Sequence, residues 1–340
     1  MPSISRSPWP DNQTLYGGEG TLLTVEANGR LPLHFEWLHN DSPILDATNS
    51  LLKIMHLQTN HSGAYRTIIS NSAGSVTTSV ATINVLPPVP LDAALDISNT
   101  TWVTGGDSPW FGVGNVSTNN NASARNGNIL AGESSWVETT FIGPGVLTFD
   151  YYGRDVFEAR FLTVTFAGMT MNLSRDPGTS WNTSQYRLPY GPQTCRWTYY
   201  HYDTNSSGLE GVWLDNVRFD ADPPGPPAFV KQPISVELFE GHTGTVSCVI
   251  TGSYPASFQW FFNSNAMLNA TNMDLILENV GAPQEGKYWV VVSNAYGVTT
   301  SSTSTVSVTT SEKVSAALGV TGWTWISGGT APPWRIVAVS

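Results

Sequence analysis

The sequence predicts an all-β protein made of tandem β-sandwiches, and three observations predict it. Short apolar runs of alternating pattern are separated by turn signals about every 8–12 residues, the spacing of sandwich strands. Charged residues make up only 12% of the 340-residue chain, Gly, Ser, Thr and Asn are abundant, and no segment holds a helical period. The third is an internal repeat. "AALDISNTTWVTGGDSPWF" (93–111) returns as "AALGVTGWTWISGGTAPPW" (316–334), in register at an offset of 223 residues. The same offset pairs Trp37 with Trp260, Tyr65 with Tyr288, Asn71 with Asn294, and Gly29, Pro32 and Phe35 with Gly252, Pro255 and Phe258. A fixed period over so many Trp, Gly and Pro positions marks a repeat architecture. The chain reads as one complete unit and the opening of a second, a fragment of a longer array.

Four segments follow from this ruler: a sandwich over 1–88, a second and different sandwich over 89–222, a copy of the first over 223–310, and the truncated start of another central domain over 311–340. The first segment carries "LHFEW", which sets Phe35 and Trp37 on one face, then "LLKI", then "SGAYRTIISNSAG"; its copy carries "SFQW", "LIL" and "EGKYWVVVSNAYG". This order of core Trp, L-x-I, G-x-Y and S-N-x-x-G resembles the I-set immunoglobulin family. The resemblance implies a buried Trp (Trp37, Trp260) and a corner Tyr (Tyr65, Tyr288) whose hydroxyl bonds back to the main chain. The disulfide positions of that family hold Val25 and Thr67 in one copy and Cys248 and Val290 in the other. Neither copy can form the bridge. Cys195 and Cys248, the only cysteines, fall in different domains and read as small buried hydrophobes.

The middle segment is flanked by "VLPPVPLD" (85–92) and "DADPPGPPAFV" (220–230), whose proline density predicts semi-rigid spacers. Between them "SWVETTF", "GVLTFDYYG", "FLTVTFAG", "TCRWTYYHYD" and "VWLDNVRFD" read as strands, which two stacked antiparallel sheets would close. "DSPW", "ARNGN", "GPGVLTFDYYGRD" and the closing "EGVWLDNVRFD" resemble the MAM domain and related lectin-like jelly rolls, without the paired cysteines of the animal pattern. The combination looks like the repeat unit of large secreted bacterial proteins. The MAM resemblance implies a structural calcium ion with Asp96, Asp107 and Asp215 as its ligands, carboxylates being the usual oxygen source. Against it, the repeat puts Gly319 and Thr330 where Asp96 and Asp107 stand, so solvated turn aspartates are the alternative.

Function classes narrow quickly. A formal charge of −11, with four Lys and eleven Arg and no basic stripe, speaks against nucleic acid. No stretch approaches the ~20 apolar residues that span a bilayer, and the N-terminus lacks the pattern of a signal peptide. Glu133, Glu138, Asp150, Asp155, Glu158 and Glu210 are the acids of the middle segment available to a hydrolase, but their spacing singles out no pair. Neither G-x-S-x-G nor H-E-x-x-H occurs. His56 and His61 read as surface groups, and ten N-x-S/T sequons between Asn12 and Asn269 as a by-product of composition. The expectation is therefore not an enzyme.

Binding is the livelier reading. In "LTFDYYGRD" the face of Leu147, Phe149 and Tyr151 opposes that of Asp150, Tyr152 and Arg154. In "TCRWTYYHYD" the face of Cys195, Trp197 and Tyr199 opposes that of Arg196, Tyr200 and Tyr202. With the first faces in the core, the second faces offer rings beside hydrogen-bonding groups, the means by which sugars are held. The six outer residues form the predicted ligand face. The expected protein is an extracellular adhesion or glycan-recognition segment with a polysaccharide, a cell-surface glycan or neighbouring repeats as partner. A structural spacer array and an accessory region of a secreted polysaccharide-degrading enzyme are the alternatives.

Overall fold

A computed structural model describes residues 1–118, 121–154, 160–173, 180–202, 209, 211–310, 323–326 and 335–338. The expected all-β architecture is present. Contacts divide the chain into two compact units, one of residues 1–141, 146–188 and 192–220, the other of 142–145, 189–191 and 221–340.

Residues 3–86 form a sandwich. Strands Ser3–Trp9, Thr21–Asn28 and Leu51–Ile54 make one sheet. The other is ordered Asn12–Tyr16, Ala81–Leu86, Gly63–Asn71, His34–His39, Ser42–Pro43, with Gly74–Thr77 also on Gly63–Asn71. The alternation in the sequence produces the core directly. Leu23, Val25 and Leu52 from one sheet meet Trp37, Tyr65, Ile69, Ala81 and Ile83 from the other. The Trp37 indole N–H donates to Asn49 O at 2.8 Å, and the Tyr65 hydroxyl donates to His61 O at 2.8 Å.

The second copy repeats these bonds at the same offset. Trp260 donates to Asn272 O at 2.9 Å, Tyr288 to Gln284 O at 2.8 Å, and Ser257–Phe262 pairs with Gly286–Asn294 as His34–His39 pairs with Gly63–Asn71. At the disulfide positions Val25, Thr67, Cys248 and Val290 are all buried, so packing replaces the bridge. Both cysteines are free.

The middle sandwich is built from one hydrogen-bonded sheet of eight strands, framed by two long ones, Ser134–Arg154 and Asn182–His201. They run antiparallel through both of its halves. In one half Arg160–Phe166 and Met169–Asn172 extend the sheet beyond Asn182–His201, while Val103–Gly106 pairs with residues 135–138. In the other half Gly211–Ala221, Ser123–Arg125 and Phe111–Val113 follow in order. The core between the halves holds Phe149, Trp197, Tyr199, Leu147, Val164 and Leu214.

The proline-rich stretch after the first sandwich departs from the spacer expectation. Gly17 N donates to Leu86 O, Val89 N donates to Gly112 O at 2.9 Å, and a short helix follows at Leu91–Ala94. Asn128, 2% exposed, reaches across to the first sandwich and donates from Nδ2 to Gly18 O at 2.9 Å and to Met55 O. Gly18 has φ +98°, and a Cβ there would stand 2.6 Å from Phe111 Cδ1. The stretch is pinned because its main chain pairs with the central sandwich on one side and the first on the other.

Among the described residues, no helix is long and apolar enough to cross a membrane. Trp323–Ile326 pairs with Arg335–Ala338; the rest of the predicted truncated domain lies outside the described residues.

Candidate functional site

Strand alternation places the candidate residues. On Asn182–His201, Cys195, Trp197 and Tyr199 are buried, while Arg196 is exposed and Thr198 and Tyr200 are half-buried on the opposite face. On Ser134–Arg154, Val137, Thr139 and Phe141 point inward, leaving Trp136, Glu138 and Thr140 outward. The outer residues lock together. Arg196 Nε donates to Glu138 Oε2 at 2.6 Å, its guanidinium lies 4.1 Å from the Trp136 ring centre, and the Thr140 and Thr194 hydroxyls are 3.0 Å apart. A partly exposed ion pair of this kind adds little stability, but it fixes where the charge stands.

Next to this brace the Tyr200 and Tyr202 rings meet at 4.2 Å, tilted by 48°. With Thr163, Thr198 and Asn172 they line an open groove of about 390 Å³. Register explains the gathering: Thr163 is opposite Thr198 on one side and opposite Asn172 on the other. Two aromatic faces, two hydroxyls and an amide thus share one surface, with Tyr202 53% exposed. Ring stacking with a few fixed polar groups is a ligand-site chemistry.

Asp150 and Tyr152 do not join it. Arg196 bonds across the strand pair to Glu138, whereas Thr183 bonds across it to Asp150, so Asp150 lies towards the other end of the same two strands. Asp150 is buried, accepting from Thr183 Oγ1 at 2.5 Å and Asn216 Nδ2 at 3.0 Å. The Tyr152 ring packs 5.6 Å from Trp181 and 5.5 Å from Trp213, and Trp213 carries the Arg125 guanidinium at 5.4 Å. The six predicted residues therefore divide: Arg196, Tyr200 and Tyr202 gather, Asp150 and Tyr152 belong to a covered polar and aromatic layer, and the Arg154 side chain lies outside the described residues. The length of the two strands, 21 and 20 residues, separates faces that alternation alone would merge. Thr163, Thr198 and Asn172 were not singled out from the sequence, although Thr198 shares the outward period of Arg196 and Tyr200.

The three aspartates do not form one metal site. Asp215, fully buried, accepts from Thr118 N at 2.7 Å, Thr118 Oγ1 at 2.9 Å and Asn216 N at 2.7 Å. Burial pushes its carboxyl above the usual range against the pull of those bonds, and the charge of Asp96 adds to the rise. Asp107 instead accepts from Ser134 N at 2.8 Å. Among the described residues, no three His, Cys, Asp or Glu side chains are grouped to hold a metal. With most lone pairs of Asp215 already taken, this set does not fit the six to eight oxygens of a calcium ion. Of the acids considered for hydrolysis, Glu133 accepts from Leu130 N at 2.6 Å and Glu138 from Arg196; Asp155, Glu158 and Glu210 lie outside the described residues.

Residues 226–294 match the immunoglobulin-domain family. The internal offset carries that segment back onto residues 3–71, where the same indole and tyrosine bonds recur. Human hemicentin-1 is 22% identical over 315 residues, covering 87% of this chain and 5% of that protein. The chain thus spans about 5% of the length of that relative. Among solved structures, a three-domain titin fragment aligns at 14% identity and a TM-score of 0.24, covering 91% of this chain and 98% of the fragment. The N-terminal eight immunoglobulin domains of Down Syndrome Cell Adhesion Molecule align at 16% identity and a TM-score of 0.25, covering 91% of this chain and 40% of that one.

Proposed function

We propose that the chain is a non-catalytic segment of an extracellular bacterial adhesion protein, in which immunoglobulin-like sandwiches alternate with a MAM-like jelly roll that recognises glycans. The observation that carries this reading is the groove of Tyr200, Tyr202, Thr163, Thr198 and Asn172. It presents stacking faces and hydrogen-bonding groups together, next to an arginine already braced by Glu138 and Trp136.

The test is a glycan array probed with the full chain, followed by Tyr200→Ala with Tyr202→Ala on any saccharide retained. Affinity should fall at least tenfold, while stability moves by about 0.5 kcal/mol per site, as for surface substitutions. Undiminished binding by the double variant would place recognition elsewhere. If no saccharide is retained at all, the spacer reading takes over. The seam at Asn128, which holds the first sandwich against the central one, is what favours that second reading.

A further inference from the structure

The first immunoglobulin-like sandwich has a pocket of its own, of about 460 Å³, whose rim carries His39, Asp46, Lys53 and His61 over a floor that includes Leu52 and Tyr65. The second sandwich provides an internal comparison at every position. The framework is kept: Ala47, Thr48, Asn49, Leu52 and Tyr65 return as Ala270, Thr271, Asn272, Leu275 and Tyr288. Even the ring stack survives, His39 on Tyr65 at 4.6 Å becoming Phe262 on Tyr288 at 4.8 Å. What differs is the rim. His39, Asp46, Lys53 and His61 become Phe262, Asn269, Ile276 and Gln284, and the one acid gained is Asp274 in place of Leu51. Packing does not require these four groups, because the copy folds the same way without them.

We infer that this pocket is a binding site for an acidic saccharide of the uronate class. Hydrogen-bond polarity sets what the rim offers. The backbone N–H of Gln58 donates to His61 Nδ1 at 3.0 Å. Since a backbone N–H can only donate, the neutral ring carries its proton on Nε2, which is its remaining donor. His39 Nε2 lies 3.1 Å from Ser62 O, a pure acceptor, so Nε2 donates there and Nδ1 keeps the lone pair. The Asn40 amide nitrogen, 3.2 Å from the same Nε2, is then a contact and not a second hydrogen bond.

Lys53 is one of only four lysines in a chain of net charge −11. Among the described residues neither it nor Asp46 enters an ion pair within 4.0 Å. The residues lining the pocket therefore include two groups able to donate to a carboxylate, Lys53 Nζ and His61 Nε2–H. They also include two acceptors suited to hydroxyls, the Asp46 carboxylate and His39 Nδ1. A sugar ring bearing one carboxylate and several hydroxyls matches that set. A transition metal does not, because the His61 tautomer leaves no lone pair at Nε2. The second sandwich, with no basic group at the equivalent positions and its one acid moved to Asp274, is the built-in control.

The test uses the full chain carrying Tyr200→Ala and Tyr202→Ala, so that the central groove cannot contribute and the two readings fail separately. Trigalacturonate, galactotriose and Zn²⁺ are titrated by calorimetry and by amide chemical shifts. The expected result is saturable binding of trigalacturonate with shifts centred on residues 39–65, and at least tenfold weaker binding of galactotriose. Lys53→Ile with His61→Gln, both residues borrowed from the second sandwich, should weaken trigalacturonate at least tenfold with the fold intact. The reverse graft, Phe262→His, Asn269→Asp, Ile276→Lys and Gln284→His with Asp274→Leu, should add a second binding equivalent. Equal affinity for the neutral trisaccharide, no saturable shifts, undiminished binding after the swap, or Zn²⁺ binding tighter than trigalacturonate would each overturn the proposal.

Discussion

Asn128→Ala should release the first sandwich from the central one. The side chain is 2% exposed and its Nδ2 satisfies two carbonyls of the first sandwich, Gly18 O and Met55 O. Each intramolecular hydrogen bond contributes about 0.5–1.5 kcal/mol net, and a buried group left without its partner costs about 1–3 kcal/mol. Once the seam opens, water reaches both carbonyls, so the penalty for an unpartnered group falls away and the two bonds leave about 1–3 kcal/mol. At 1.4 kcal/mol per factor of ten, the undocked population rises about 5- to 140-fold. Amide exchange should report it locally. Val89 N, bonded to Gly112 O, should lose protection. Amides in the core strand Gly63–Asn71 should keep theirs. Protection unchanged at Val89 would refute the assignment of Asn128 as the clamp. Equal loss in Gly63–Asn71 would refute the view that docking is separable from folding.

Other outcomes follow from burial and charge. Trp197→Ala removes a fully buried ring that contacts Phe149 edge-on at 5.2 Å, and should cost about 3–5 kcal/mol in denaturant unfolding. Burial pushes the Cys195 thiol up to about 12 and the Cys248 thiol up to about 11. An alkylating reagent at pH 8 should therefore label neither in the folded chain and both after denaturation, the thiolate being the reactive form. Burial raises the Asp215 carboxyl above the usual carboxylate range on folding, so the native state holds the proton longer than the unfolded chain does. Its contribution to stability should be most favourable below about pH 4 and decline as pH rises through the raised value. A Tm series from pH 4 to 7 checks this: the native chain should lose stability relative to Asp215→Asn on going up, and parallel curves would contradict it.

Much of the fold was legible in the sequence because side-chain alternation writes burial directly. The Cys195, Trp197, Tyr199 face is buried as its alternation implied, and Trp37, Trp260, Tyr65 and Tyr288 are buried as the family resemblance implied. What alternation does not encode is position along a strand. Asp150 and Tyr200 were placed on one surface because both oppose a core face, and the pairing of two strands of 21 and 20 residues puts them apart. The seam was illegible for a related reason. A proline-rich stretch read alone is an extended spacer, and the groups that pin it lie far off in sequence, at Gly18, Phe111, Gly112 and Asn128.

The two copies separate what the sandwich needs from what it displays. The hydrogen bonds that recur lie inside the framework. The Trp indole bonds a carbonyl twelve residues on, the Tyr hydroxyl one four residues back, and Asn71 and Asn294 accept from the amides of Ala73 and Tyr296. The seam falls outside that set: Pro87, Pro88 and Val89 become Thr310, Ser311 and Glu312. Outer faces diverge as well. Leu38 and Arg66, the latter paired to Asp41 at 2.6 Å, give way to Phe261 and Trp289 stacked at 4.0 Å. Arg66 and Trp289 are opposite Leu38 and Phe261 in identical register, so neither change alters strand pairing. A backbone that tolerates a charged pair and an aromatic stack at one site imposes little on its surface. Selection on stability alone has no reason to make these surfaces differ, which directs the search for ligands to the places where the copies disagree.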